Sequence, residues 1–206
     1  MRIRLCIFLF LLSTAASVAQ STFHKFRKLS RPEKGWVLAH PFKAKKAMRI
    51  TSEVLVVVDT IKSSGIIGTD IAGGKLDAFK HAYWMARLSL ELGEETALAL
   101  GKAHEKGNYL QYKKHKLEDS ILPDSVSSAM DMRNNVVGAG FYGNCRTYSK
   151  KDVQGIILKK LKNGELSIIK KDAEGHFVYC DGTLINMSEW QGKWNIPKCL
   201  VTSDTE

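Results

Sequence analysis

The chain has 206 residues, 44% of them hydrophobic, and a formal net charge of +10. This length suits one domain with its own core, and no internal repeat or low-complexity tract is present. The excess of Lys and Arg favours an anionic partner or surface, or else a solvated lysine-rich exterior. The basic clusters at 113–116 and 159–162 contain few aromatic residues, which argues against a platform that stacks nucleic-acid bases.

Residues 1–19 have the order of a secretory signal peptide. Two arginines precede an apolar run at 5–12, and small residues follow, with Ser17 and Ala19 at the −3 and −1 positions of a cleavage site. The run is shorter than the roughly 18 apolar residues that a membrane-spanning helix needs. We therefore expect cleavage before Gln20 and export to the periplasm or beyond. The mature protein would have 187 residues and no transmembrane anchor.

A basic segment at 20–41 follows, which Pro32 and Pro41 make irregular in our prediction. A helical core domain is predicted over 42–163. Its first helix covers 42–63, although the run from Val54 to Val58 is also compatible with a strand. Capping and breaking residues predict the others at Asp77 to about Leu92, Glu94 to Lys106 with Gly107 as its cap, Asp124 or Ser125 to about Val137, and 150–162.

Residues 164–206 are predicted to form a β-hairpin and an irregular tail packed on the same domain. The stretches 165–170 and 176–180 alternate like two strands around a turn at 172–175. The fold class is therefore mainly α: a compact multi-helix domain with a small C-terminal β-hairpin, α+β overall.

Three cysteines remain after the signal peptide, which contains Cys6. In an oxidising compartment, the simplest arrangement of Cys145, Cys180 and Cys199 is one disulfide and one thiol. We favour the Cys180–Cys199 pair because both residues lie in the loop-rich tail. Their spacing does not fit a Cys-x-x-Cys metal site.

Polar residues interrupt the apolar pattern of three predicted helices. On the first, Asp77 and His81 are four residues apart and share one face amid apolar neighbours. Burial of a carboxylate without a partner costs several kcal/mol, so the two form either a hydrogen-bonded pair or a pair of metal ligands.

The second helix has small residues, Ala97 and Gly101, on one stripe with His104. They allow a close helix approach that would bring His104 near the first helix. Glu105 lies about 100° round the helix from His104 and need not serve the same site. Because position 108 is Asn108, the segment is not the His-Glu-x-x-His motif of zinc proteases.

The third helix carries Asp131 and Asn135 on one stripe, with Asn134 beside it. Asn is a mediocre helix former, so two in succession at mid-helix need a tertiary reason. Residues from three helices could hold one divalent metal, with Zn, Mn and Mg indistinguishable, or act as general acids and bases. They could also form a buried network that only fixes helix packing. The candidate catalytic residues and metal ligands are His81, His104 and Asp131, with Asp77, Glu105, Asn134 and Asn135 as supporting residues or further ligands.

A Gly-x-Gly-x-x-Gly string spans Gly138 to Gly143, but it closes a helix, whereas a dinucleotide fingerprint follows a strand and opens one. We expect no nucleotide cofactor and no dinucleotide partner. Neither a P-loop nor a Gly-x-Ser-x-Gly elbow is present.

Three motifs occur in order: Asp77 to Trp84 (DAFKHAYW), Ala103 to Glu105 (AHE), and Met130 to Gly138 (MDMRNNVVG). Together they resemble the D-A-F-R-H-A-Y-W-N, A-H-E and M-D-L-x-N-N-x-V-G signature of an uncharacterised bacterial domain-of-unknown-function family. This chain departs from that signature at Lys80, Met85 and Met132. The resemblance implies a mainly helical domain in exported proteins. The resemblance implies no reaction. It carries over only the signature positions Asp77, His81, His104, Glu105, Asp131, Asn134 and Asn135.

Two classes of function are compatible with these features. One is an exported hydrolase that acts on a phosphoester or another anionic component of the cell envelope. The other is a non-catalytic envelope or binding protein whose polar cluster is structural. The two differ in access, because a catalytic cluster must open to a pocket and a packing network would be sealed.

Overall fold

A computed structural model describes residues 24–117, 122–140 and 148–205. The predicted signal peptide and Cys145 lie outside these ranges. The described chain is mainly α with a small antiparallel sheet near the C-terminus, which confirms the predicted fold class. After a short helical turn at 24–28, the elements in chain order are α1 (Arg31–Ala39), α2 (Pro41–Ser64), α3 (Lys75–Leu92), α4 (Glu94–Tyr112), α5 (Ser125–Ala139), α6 (Lys150–Lys162), β1 (Ser167–Ile169), a 3₁₀ turn (Met187–Trp190) and β2 (Leu200–Thr202).

The central helix is α3, which packs against α2, α4, α5 and α6. It is buried on most of its circumference, with Leu76, Phe79, Tyr83, Met85 and Leu88 all inside the core. A helix that is buried nearly all round belongs in the middle of a domain. Even so, none of the described helices is both long and apolar enough to cross a membrane.

The run from Val54 to Val58 is helical and lies within α2. Val54 and Val58 are buried at the i, i+4 spacing of a helix face, whereas the intervening Val56 is 66% exposed. The helix ends at Gly65, whose φ of 69° is the left-handed conformation that closes many helices. Packing of one face against α3 therefore outweighs the β-propensity of the valines.

The segment predicted to be irregular contains α1, so that prediction is wrong for residues 31–39. Pro32 lies in the first turn, where a backbone N–H would have no helical partner, so it begins the helix rather than breaking it. Ser30 and Glu33 form a capping box. Trp36 is buried, and its indole N–H donates to the Thr96 carbonyl at 3.2 Å, which joins α1 to α4.

The predicted end of α4 is also wrong, because the helix passes through Gly107 and continues to Tyr112. A Cβ atom at position 107 would lie 2.6 Å from the Ser30 hydroxyl. This glycine therefore provides room for the beginning of α1 against α4 and does not act as a helix cap.

The partner of β1 differs from the predicted one. Strand β1 pairs in antiparallel register with β2, with Ser167 opposite Thr202, whereas the 176–180 stretch makes only the Lys171↔Phe177 bridge back across its turn. The remainder of that stretch folds onto the following residues, because the Tyr179 N–H donates to the Thr183 carbonyl at 2.8 Å. Its backbone groups are therefore used locally.

Hydrogen bonds hold the tail on the helices and on the loop before α3. The Asn134 side chain accepts from the Ser167 N–H at 2.8 Å and donates to the Ser167 carbonyl at 2.9 Å. The Ile169 N–H donates to the Gly73 carbonyl at 2.8 Å, in the loop that precedes α3. Within the tail, Cys180 and Cys199 form a disulfide with their Cα atoms 4.9 Å apart. The tail is thereby fixed beside the beginning of α3 and the middle of α5.

Candidate functional site

Three side chains from two helices converge beneath the tail. His81 Nε2 on α3 lies 3.6 Å from Asp77 Oδ1 and 3.4 Å from Asp131 Oδ1 on α5. One ligand atom from each residue falls within 4.8 Å of the other two. All three residues are buried, with exposures of 4–6%. We call Asp77, His81 and Asp131 the triad cluster.

Local sequence and close helix packing explain this convergence. Asp77 and His81 share a face of α3 because they are four residues apart. Helix α5 reaches α3 because position 138 is glycine: a Cβ atom there would lie 2.1 Å from the Ala82 carbonyl oxygen. The helices therefore touch backbone to backbone, two turns along α5 from Asp131, and this contact sets the separation across which the triad cluster forms.

The Asp77 carboxylate is held by groups from its own neighbourhood. Its Oδ2 accepts from the Gly73 N–H at 2.8 Å, and its Oδ1 lies 2.8 Å from the Lys80 ammonium. Gly73 has a φ of 92°, and a Cβ atom there would lie 2.8 Å from Ile169 of β1, so a larger residue would displace the loop. The loop, the sheet and the first turn of α3 therefore fix both oxygens of the Asp77 carboxylate.

The surroundings of His81 disfavour its charged form. Burial keeps the pKa of its imidazole well below the ordinary value, and the positive charges of Lys80 and His104 lower it further. The Asn135 amide opposes this shift; it lies within reach of the ring but is not aligned for a full hydrogen bond. Gly101 makes room for that amide, since a Cβ atom there would meet Asn135 at 3.0 Å. A neutral imidazole is the form that binds metal ions.

The triad cluster opens to a small pocket of about 40 Å³. A single water needs roughly 10–15 Å³ by this measure, so the pocket accepts a few waters or a hydrated ion. Its described lining comes from the loop before α3, from α3 and α5, and from the tail: Ile71, Ala72, Gly73, Asp77, Lys80, His81, Leu122, Pro123, Asp124, Ser127, Asp131, Ile169, Phe177 and Lys198.

The tail contributes a buried ammonium group to this pocket. Lys198 Nζ lies 2.6 Å from Asp124 Oδ2 and 3.6 Å from the centroid of the Phe177 ring. Burial lowers the pKa of Lys198, and the Asp124 carboxylate opposes that effect. Asp124 also caps α5 by accepting from the N–H groups of Val126 and Ser127. The sequence analysis missed Lys198, because nothing near it in the chain indicates that the tail covers this pocket.

His104 lies beside the triad cluster and not within it. Its ring centroid is 6.3 Å from that of His81, and the edge of Trp84 packs against it at 5.6 Å. Its Nδ1 lies 3.1 Å from Glu33 Oε1 of α1. The expected convergence of His81, His104 and Asp131 therefore holds for His81 and Asp131 and not for His104, because a carboxylate from α1 holds the second imidazole.

Glu33 was not among the candidate residues. Its pKa is lowered even though burial opposes ionisation, because hydrogen bonds and charge from His104 and Ser30 outweigh the burial. The Ser30-x-x-Glu33 spacing is a capping-box signal that was available in the sequence. Nothing local predicts that the same carboxylate also reaches α4.

Two other candidate residues, Glu105 and Asn134, make contacts between secondary-structure elements. Glu105 accepts from Ser128 Oγ at 2.5 Å and from Asn108 Nδ2 at 3.4 Å, so it joins α4 to α5. Asn134 binds β1 through both of its amide atoms, which is the tertiary reason for an asparagine at mid-helix. Neither residue lines the pocket.

The triad cluster fits a divalent metal ion. Bonds of 2.0–2.2 Å from one metal separate neighbouring ligand atoms by about 3.0–3.5 Å, close to the 3.4 and 3.6 Å found here. Two carboxylates and a neutral imidazole are ligands that Zn²⁺ and Mn²⁺ accept. The described lining of the pocket contains three carboxylates against two ammonium groups, and a divalent cation would reverse this negative balance.

A second group of possible ligands, Asp172, Glu174 and His176, lies on the surface of the tail. Asp172 Oδ1 accepts from the N–H groups of Glu174 and His176, so the carboxylate closes its own turn. The group has the geometry of a turn, and we assign it no binding role.

Comparison with known proteins gives one family. Residues 34–165 match the family described as "Domain of unknown function (DUF6973)", which covers more than half of the chain. The match includes the whole triad cluster and stops before β1, so Lys198 and the disulfide lie beyond it. No curated protein and no solved structure matches the chain.

Proposed function

The chain belongs to the DUF6973 family, and we propose that its triad cluster binds one divalent metal ion with which the protein hydrolyses an anionic, phosphoester-type substrate. The observation that carries this proposal is the meeting of Asp77, His81 and Asp131 at the floor of a pocket. A cluster that only fixed helix packing would need no such access.

Each part of the site has a role in this proposal. Asp77, His81 and Asp131 hold the ion, and the Gly73 N–H and the Lys80 ammonium orient the Asp77 carboxylate. A bound divalent ion polarises the ester and lowers the pKa of a coordinated water.

The charge of the pocket favours an anionic substrate once the ion is present. Lys80 and Lys198 both line the pocket, and Lys198 is 8% exposed and fixed against Asp124 and Phe177. A preorganised positive charge in a buried site stabilises developing negative charge without reorganisation. With the small pocket volume, this suits a phosphoryl group whose remaining substituents lie outside.

We place this activity outside the cytoplasm, on an anionic component of the cell envelope. The support is the signal-peptide pattern of residues 1–19 and the net charge of the chain. The alternative is a non-catalytic envelope or binding protein with a structural polar cluster. The hydrogen bonds of Glu105 and Asn134, which join structural elements, support that alternative. The metal-compatible spacing of the triad cluster supports the metal site instead.

The test is hydrolysis by protein loaded with Zn²⁺, Mn²⁺ or Mg²⁺ in turn. The panel contains an aryl phosphate monoester, an aryl phosphate diester and an aryl acetate as the uncharged control. We expect turnover of a phosphate ester that is lost with a chelator and in the Asp131→Asn variant, with the melting temperature nearly unchanged. The matched control is Asp172→Asn, which removes a carboxylate from the exposed turn and should retain full activity.

Two outcomes would reject the hydrolase proposal. One is a protein that holds the metal ion yet turns over no member of the panel. The other is activity that survives in Asp131→Asn at the level of Asp172→Asn, which would place the reaction elsewhere.

A further inference from the structure

Positive charge is concentrated in one segment of the chain, which contains the turn before α1, α1 itself and the beginning of α2. Residues 24–46 contain eight Lys and Arg residues and one acid, so they carry +7 of the chain's net charge of +10. Three of these lysines are engaged: Lys46 pairs with Glu91 at 3.1 Å, Lys43 donates to the Leu92 carbonyl and the Thr96 hydroxyl, and Lys34 donates to the Arg27 carbonyl at 3.0 Å. Five are exposed and make no ion pair with any carboxylate in the described ranges: Lys25, Arg27, Lys28, Arg31 and Lys45.

Two apolar side chains lie in the middle of this charge. Leu38, at the end of α1, is 72% exposed, and Phe42, at the beginning of α2, is 98% exposed. Arg31 lies two turns before Leu38 on the same face of α1, and Lys45 lies one turn after Phe42 on α2. The joint between the two helices therefore presents a leucine and a phenylalanine flanked by cations. We call residues 24–46 the basic corner.

Single exposed apolar residues are ordinary on protein surfaces. An exposed leucine and phenylalanine four residues apart, flanked by lysine and arginine, resemble the segments that lie in a membrane interface, where apolar side chains enter the acyl boundary and cations contact headgroups. A nucleic acid would satisfy the cations but gives an exposed leucine no apolar environment. The combination therefore favours a lipid surface over a polyanion.

We propose that the basic corner docks the protein peripherally on an anionic phospholipid bilayer. Phe42 and Leu38 enter the interface, and the five exposed cations attract the headgroups. The proposal is independent of the hydrolase activity, because the basic corner contributes no residue to the described lining of the pocket.

The test is cosedimentation with vesicles of phosphatidylcholine alone or mixed with phosphatidylglycerol. The protein used begins at Gln20, as verified by its mass. The apolar run at 5–12 is then absent and cannot be the binding element. We expect binding to the anionic vesicles only, weakened when salt rises from about 0.05 to about 0.5 M. Phe42→Ser and the double reversal Arg31→Glu/Lys45→Glu should each lower the binding constant roughly tenfold or more.

Leu184→Ser is the matched control, because this leucine is 59% exposed in the tail and outside the basic corner. It should bind vesicles as well as the unsubstituted protein. All variants change exposed side chains, so equal melting temperatures verify that they fold. Three results would overturn the proposal: no vesicle binding, equal loss in Phe42→Ser and Leu184→Ser, or binding to duplex DNA without binding to anionic vesicles.

Discussion

At the scale of single residues, the buried His81 and the half-buried His104 are held by carboxylates in different ways. His81 lies between Asp77 and Asp131 at 3.6 and 3.4 Å, a spacing suited to three ligands of one ion. His104 has its Nδ1 3.1 Å from Glu33, whose other oxygen accepts from the Ser30 N–H at 2.7 Å. The first arrangement can admit a cation, whereas the second is a contact between a carboxylate and an imidazole that ties α4 to the beginning of α1.

The Glu33–His104 pair makes a prediction about pH. Because the pKa of Glu33 lies below its ordinary 4.5, its contribution to stability is complete above about pH 4.5 and is lost as the pH falls through the lowered value. We expect Glu33→Gln to reduce the free energy of unfolding by about 1–2 kcal/mol near neutral pH. The deficit should shrink below pH 4.5, where the parent protein loses the same contribution.

Urea denaturation of both proteins at a series of pH values measures this difference. Glu174→Gln, which removes an exposed carboxylate in the tail, is the control and should match the parent throughout. A Glu33→Gln deficit that stays constant down to pH 3 would show that the carboxylate charge does not contribute.

At the scale of elements, two glycines on helices have opposite roles. A Cβ atom at Gly138 on α5 would lie 2.1 Å from the Ala82 carbonyl oxygen, whereas one at Gly155 on α6 would meet nothing within 4 Å. Gly138→Ala must therefore push α5 away from α3, at a cost of about 1–3 kcal/mol or more. Gly155→Ala should stabilise the protein by about 0.5–1 kcal/mol, because alanine loses less backbone entropy than glycine in a helix.

Thermal and urea unfolding of the two variants check this prediction. Since the α3–α5 contact also sets the distance from His81 to Asp131, Gly138→Ala should weaken metal binding as well. If both alanine variants had the same stability, close helix contact would not be what positions α5.

The presence of the helices was predicted from the sequence more accurately than their ends or the pairing of the strands. Apolar spacing predicted α2, although it left a strand open at 54–58, and capping and breaking residues predicted α3, α5 and α6. Gly107 and Pro32 were misread because their effect depends on long-range contacts: Gly107 faces Ser30, and Pro32 occupies a first turn that Ser30 caps. The strand partner of β1 was missed for the same reason, since 176–180 uses its backbone locally.

At the scale of the whole molecule, the candidate site combines parts that are distant in sequence. The i, i+4 spacing predicted that Asp77 and His81 share a face, and the polar stripe of α5 indicated Asp131. Lys198 could not be predicted, because a lysine in an irregular tail looks like any solvated lysine. Its burial depends on contacts of the tail with the core, such as the Asn134–Ser167 hydrogen bonds, while the Cys180–Cys199 disulfide joins two parts of the tail itself.

The most direct measurement is the metal content of the purified protein after equilibration with Zn²⁺, Mn²⁺ or Mg²⁺ and removal of loose ions by dialysis. The account predicts one ion per chain for at least one of these metals, and none in His81→Gln or Asp131→Asn proteins that melt within a few degrees of the parent. An absence of bound metal in the parent, or one ion per chain in both variants, would contradict the triad cluster as a metal site.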